Sequence, residues 1–196
     1  MVKAIIFDCF GVLTSEGWLA FKAERFSHED ELERQATSLN KQADAGLISH
    51  DDFVSAIADL ADIPQVEVRS AIDVNVPNEQ LFTYIKERLK PKYKVGLLSN
   101  AAANWLKELF SPQQIELFDA VSLSYEAGLL KPHPGAYEKI ASQLKVEPAE
   151  CVFVDDQERH CTGAREAGMR AILYQDFEQM KTELEKILDA AENDGR

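Results

Sequence analysis

Two acidic positions in this chain stand where a buried strand would end. Asp8 follows the apolar run Val2-Lys3-Ala4-Ile5-Ile6-Phe7, and Asp155-Asp156 follows Cys151-Val152-Phe153-Val154. A carboxylate at the end of a buried strand loses hydration unless a partner compensates. In open α/β sheets that edge is where ligands bind. Two apolar strands ending in acids therefore point to one shared cation site. Two other places have the same look. Leu97-Leu98-Ser99-Asn100 ends an apolar run in a hydroxyl and an amide, and Lys131-Pro132-His133-Pro134 stands ahead of a helix. Taken singly, each has a plainer reading. Asp8 would be a turn residue, Ser99-Asn100 a helix cap, Lys131 a surface lysine, and Asp155-Asp156 acids suited to a helix N-terminus. In one order along the chain, each at a strand end or in the following loop, they read better as one site.

The elements that would position them alternate in type. Short β-branched runs predict strands at 2–7, 93–98, 120–123, 151–154 and 171–174. Helical spacing predicts helices at 102–110, 135–144, 158–167 and 177–191, the third stopped by Gly168. Strands alternating with helices imply an α/β fold, with a Rossmann-like parallel sheet covered on both faces. Residues 15–91 break that rhythm. They hold no convincing strand, and their apolar residues fall on helical spacings. Ser49 and Asp52 form a helix-start pair, and Pro64 and Pro77 stand at plausible first-turn positions. The expected organisation is a core of residues 1–14 and 92–196 with an inserted helical cap at 15–91.

Composition narrows the partners. The 196 residues carry a formal net charge of −13. That field repels nucleic acid and anionic membrane, so neither is an expected partner. It also repels anionic substrates, so a phosphate-handling site would need a local cation. The first apolar run is too short for a signal-peptide core, and no stretch has the apolar length to span a bilayer. Cys9, Cys151 and Cys161 leave one thiol unpaired and match no zinc spacing. Reduced thiols and a cytoplasmic location are expected.

The four segments together resemble the haloacid dehalogenase-like hydrolase superfamily, over nearly the whole chain. Asp8-Cys9-Phe10-Gly11-Val12-Leu13 is similar to its first motif, Ser99 to its second, Lys131-Pro132 to its third, and Asp155-Asp156 running to Ala167-Gly168 to its fourth. The resemblance implies that Asp8 attacks phosphorus to form an aspartyl-phosphate, which water then hydrolyses. It implies Mg2+ held by Asp8, the Phe10 backbone carbonyl, Asp156 and Asp155. Lys131 and Ser99 would stabilise the phosphoryl oxygens, with the amides of the following helix at Asn100. The expected activity is magnesium-dependent hydrolysis of a small phosphorylated metabolite. Glu16 and Trp18, just past the nucleophile loop, are substrate-binding candidates. For Trp18, packing within the cap is an equal reading.

One position departs from the resemblance. Phosphatases of the superfamily usually carry a second Asp two residues after the nucleophile, as general acid and base. Here that residue is Phe10. His133 and His160 are candidate substitutes, though a structural role is the plainer reading of each. The aromatic residue also raises a metal-independent 2-haloacid dehalogenase as an alternative, since halide leaves without a proton. Adjacent carboxylates at 155 and 156 argue against it, because they would repel Asp8 with no cation between them. A non-catalytic protein that binds phosphate ligands is the third reading. His28 and His50 read as solvated helix-end residues.

Overall fold

The computed structural model describes residues 1–101 and 104–193. Its centre is a five-stranded sheet of β1 (Ala4–Phe7), β2 (Lys94–Ser99), β3 (Ala120–Leu123), β4 (Cys151–Asp155) and β5 (Arg170–Leu173). The order is β3-β2-β1-β4-β5 and every pairing is parallel. β1 lies between β2 and β4, with Phe7 level with Leu97 and Val154. The loops after β1, β2 and β4 therefore open side by side. Connections leave opposite ways from this point, which makes it the topological switch point where such sheets bind ligands.

Alternation along the strands divides the core in two. Ile5, Phe7, Val95, Leu97, Val152 and Val154 face one cluster, with Met180, Leu184 and Leu188 of the C-terminal helix. Ala4, Ile6, Leu98 and Phe153 face the other, with Tyr137, Ile140 and Ala141. Burial on both faces explains why the strands read as continuous apolar runs.

The insert folds as α1 (Gly17–Phe26), α2 (Asp30–Asp44), α3 (His50–Ala61) and α4 (Gln65–Ile72). Ser49 caps α3 in a reciprocal pair with Asp52, as its spacing predicts. Trp18, Phe21, Phe26, Phe53, Val54, Ile57 and Val68 form a third cluster, separate from the sheet. The next helix, α5 (Glu79–Tyr84), runs on through a π-helical turn at Ile85–Leu89. Its Leu81, Phe82, Ile85 and Leu89 join the sheet cluster instead. We therefore propose that the helical insert ends near residue 76, short of the expected boundary at 91. The strands that enter and leave it touch: Thr14 bridges Pro77, and Ser15 N–H donates to Val76 O at 3.0 Å.

The remaining helices are α6 (Leu106–Leu109), α7 (Pro112–Ile115), α8 (Ser124–Ala127), α9 (Pro134–Gln143), α10 (Glu158–Glu166) and α11 (Phe177–Asn193). The expected helix at 102–110 is reduced to α6, with Ala102 and Ala103 outside the described residues. Pro64 and Pro77 stand just before α4 and α5 rather than in their first turns, because Pro64 and Asn78 are the caps. Ile57 is fully buried in the insert. Ile57→Ala is expected to destabilise the protein by about 2–5 kcal/mol, read as a lower urea midpoint with an unchanged slope.

Candidate active site

The strand register brings Asp8 and Asp155 together, and Lys131 fills the space between them. Asp8 continues the β1–β4 pairing by donating its N–H to Val154 O at 2.9 Å. Its Oδ1 accepts from Cys9 N–H at 2.7 Å and lies 2.7 Å from Lys131 Nζ. The same Nζ is 2.7 Å from Asp155 Oδ2 and 5.4 Å from the centre of the Phe153 ring. All three side chains are buried, Lys131 being only 4 % exposed. Among the described residues, the side-chain contacts to Asp8 fall on Oδ1, so Oδ2 is the oxygen left for an incoming group.

The charges in this cluster do not balance. Burial alone would discharge Lys131, but Asp155 and Asp8 override it and hold the ammonium above the usual lysine range. Burial also works against ionised Asp155, yet Lys131 and His160 hold it below the usual carboxylate range. Asp8 goes the other way: burial and the Asp155 charge outweigh Lys131 and push it well up. Asp156 is pushed up to about 6 by burial and by Asp155. Three carboxylates share one ammonium, which leaves two negative charges uncompensated when all three are ionised.

Several contacts fix the lysine. Asn100 Nδ2 donates to Lys131 O at 3.0 Å, and Lys131 N–H donates to Asn100 Oδ1 at 2.8 Å. Asn100, expected to meet substrate, thus spends its amide on tying the lysine loop to the end of β2. From α10, Gly163 packs so closely on Pro132 that a Cβ there would lie 2.7 Å from the proline carbonyl oxygen. Asp155 is held by Gln157 N–H at 2.8 Å and His160 Nδ1 at 3.1 Å, both on Oδ1. Both Asp155 oxygens are therefore engaged, which suits orienting the lysine better than holding a metal. Of the two histidines considered above, His133 caps α9 by accepting from Gly135 N–H. His160 stands in the site, neutral because burial holds it below its ordinary range, with Nε2 buried and without a hydrogen-bond partner among the described residues.

Asp8, Asp155 and His160 offer donor atoms close enough together to hold a metal. Lys131 Nζ already sits between the two carboxylates, so that centre has its cation. Asp156 offers another place. Its carboxyl lies against the Cα of Gly11, where any side chain would collide with it. Gly11 also has φ of 81°, a conformation that favours glycine. Asp156 Oδ1 is buried with no hydrogen-bond partner among the described residues. An orphaned carboxylate oxygen is costly, and a hard oxygen donor beside the Asp8 loop fits Mg2+.

Asp8, Lys131 and His160 open into a cavity of about 530 Å3 between the strand ends and the insert. Asp8, Ser99 and Lys131 line it from the sheet, and Glu16, Trp18 and Asp44 from the insert. Ser99 is buried, and among the described residues its Oγ makes only a long 3.4 Å contact to Asn100 O. Burial, Asp156 and Asp44 push Glu16 up to about 7. Trp18 stacks on Phe21 and packs edge-to-face on Phe53 within the insert, and it also reaches the cavity wall. Phe10 packs edge-to-face on Trp105 at 5.6 Å, and Trp105 on His50 at 5.0 Å. His50 is thus no solvated helix end. It pairs with Asp73 at 3.1 Å and joins an aromatic wall. Trp105, His50 and Asp44 escape a sequence reading because helical periodicity explains each without a cavity. Gly163→Ala is expected to cost about 1–3 kcal/mol by overpacking and to lower turnover by displacing the lysine loop, measured by urea unfolding and steady-state kinetics.

A family model described as haloacid dehalogenase-like hydrolase matches residues 2–168. Bifunctional epoxide hydrolase 2 of Rattus norvegicus is 30% identical over 129 residues, which is 62% of this chain and 22% of that protein. The chain thus spans about a fifth of that relative. Glyceraldehyde 3-phosphate phosphatase of Methanopyrus kandleri is 26% identical over 209 residues, covering 91% of this chain and 88% of that one. Among solved structures, a haloacid dehalogenase family enzyme of Bacteroides thetaiotaomicron, in complex with magnesium and inorganic phosphate, superposes with a TM-score of 0.67. It is 26% identical, with 89% of this chain and 95% of that chain covered. The parallel sheet with its switch point at Asp8, and a family match over most of its length, make this chain a member of the haloacid dehalogenase-like hydrolases.

Proposed function

We propose that the protein is a magnesium-dependent phosphatase acting on a small phosphorylated metabolite through an aspartyl-phosphate. The observation that carries this reading is the unbalanced charge at the strand ends. With Asp8, Asp155 and Asp156 ionised, two negative charges are left uncompensated beside an Asp156 oxygen without a partner among the described residues, and the upward push on Asp8 and Asp156 reflects that cost. A phosphate dianion would be repelled from such a place unless a dication joined it. Asp8, the Phe10 carbonyl and Asp156 would hold Mg2+, which supplies positive charge for the phosphoryl oxygens and lowers the repulsion met by the nucleophile. The names of the Methanopyrus kandleri phosphatase and the magnesium and phosphate complex from Bacteroides thetaiotaomicron support the same class.

The chain's own residues then divide the work. Asp8 attacks phosphorus with Oδ2, while Oδ1 stays bonded to Cys9 N–H and Lys131. Lys131 keeps its proton throughout, since both neighbouring carboxylates favour the ammonium. It orients Asp8 and offers charge to the phosphoryl group. Asp155 and Asn100 position the lysine by side chain and by backbone respectively. Ser99 donates to a phosphoryl oxygen, its hydroxyl having no strong protein partner. Positioning and charge cancellation are most of what phosphoryl transfer needs. The insert covers the strand ends, and with Trp18 and Glu16 it would exclude water and contact the leaving group.

Hydrolysis of 4-nitrophenyl phosphate or acetyl phosphate is expected with magnesium and is expected to stop with chelator. Asp8→Asn is expected to abolish it. Asp156→Asn is expected to raise the magnesium concentration needed for half-maximal rate. Release of halide from 2-chloropropionate without metal, and no turnover of either phosphate, would replace this reading with the dehalogenase one.

A further inference from the structure

We propose that Asp44, carried by the insert, is the general acid and base that the nucleophile loop lacks. The proposal rests on the phosphatase reading and adds the proton donor to it. Phe10 occupies the loop position two residues beyond Asp8, and its ring is committed to Trp105. Neither ring can donate a proton to a leaving oxygen. The acid must come from elsewhere in the cavity, and the insert brings one.

Asp44 is the last residue of α2 and lines the cavity shared by Asp8, Ser99 and Lys131. Its backbone is tied to the segments that follow β2 and β3. Ser124 Oγ donates to Asp44 O at 2.6 Å and accepts from Ala101 N–H at 2.9 Å. Ala101 follows Ser99 by two residues, so the end of α2 is pinned behind the phosphate-binding turn. Asn40, one helical turn earlier, donates Nδ2 to Asp44 Oδ2 at 3.1 Å. The other carboxyl oxygen makes no protein hydrogen bond among the described residues, which leaves it for a ligand.

The electrostatic setting suits the task. Dehydration pushes the Asp44 carboxyl up to about 7, against the pull of Lys131 and Arg159. The neighbouring Glu16 senses the Asp44 charge, and Asn40 is the polar group beside it on α2. An acid near neutrality serves best in both directions of proton transfer. The other candidates fit less well. Glu16 faces Asp156, which is assigned to the cation. His160 is held neutral and its Nδ1 is engaged by Asp155, so it has no proton to spare for a leaving group.

The proton balance is simple. As Asp8 bonds to phosphorus and the bond to the leaving oxygen breaks, the Asp44 carboxylic acid protonates that oxygen and the alcohol departs. Asp44, now ionised, takes a proton from water as the water oxygen attacks phosphorus. The bond from phosphorus to Asp8 breaks, phosphate leaves, and Asp44 is again an acid.

The test compares 4-nitrophenyl phosphate, whose leaving group needs no proton, with glycerol 2-phosphate, whose leaving group does, both with magnesium. Asp44→Asn is expected to lose about 10²–10⁴-fold in kcat on the alkyl ester and less than tenfold, roughly, in the phosphorylation step on the aryl ester, read as burst rate. The wild-type kcat/KM for the alkyl ester is expected to fall as pH rises through about 7. That limb is expected to vanish in Asp44→Asn and to return in Asp44→Glu. Equal losses on both esters, an unchanged alkyl rate, or wild-type turnover of the aryl ester alone would each overturn the role of Asp44 and leave the phosphatase reading standing. No turnover of either ester by the wild type would remove both.

Discussion

The arrangement at the strand ends depends on one buried ammonium held between two carboxylates. Lys131 lies 2.7 Å from both Asp8 and Asp155, in a place with almost no water to screen it. Each acid would be too costly to bury ionised if the lysine were removed. The fold answers by fixing the lysine from several sides: the Asn100 amide, the close approach of Gly163, and the Phe153 ring beneath Nζ. The sheet order serves the same end. With β1 between β2 and β4, the loops bearing Asp8, Ser99 and Asp155 cannot open anywhere but together.

With its three carboxylates ionised, that cluster carries two negative charges that Lys131 does not cancel. A neutral ligand would leave that imbalance unrelieved, and a bare anion would make it worse. A divalent cation with a phosphate settles both. Within such a site the lysine is a fixed charge rather than a proton carrier, because its neighbours favour the ammonium. On the insert side of the cavity, burial brings the ionised and neutral forms of Glu16 and Asp44 closer in free energy.

Much of this was legible in the chain. Strands buried on both faces leave continuous apolar runs, so the ends of all five are legible to within two residues, and with them the positions of Asp8, Ser99 and the acidic pair. Lys131 was legible as a candidate, though not the depth of its burial. What escaped depended on pairings between distant segments. Trp105 and His50 belong to different layers and meet only after folding. The split between Asp155 and Asp156, one oriented on the lysine and the other left open, turns on a single residue's change of direction after β4. The inward reach of α5 was hidden because an amphipathic helix reads the same whichever core it joins.

The bridged pair of Thr14 and Pro77, with the Ser15–Val76 hydrogen bond beside it, has an architectural consequence. An excursion of some sixty residues begins and finishes at neighbouring points, so it adds no strain to the sheet from which it departs. Such a module is attached like a pendant at its clasp. Its four helices are joined to the core at that clasp and again where Ser124 Oγ meets Asp44 O and Trp105 meets His50, so the module is moored over the strand ends at three separate places.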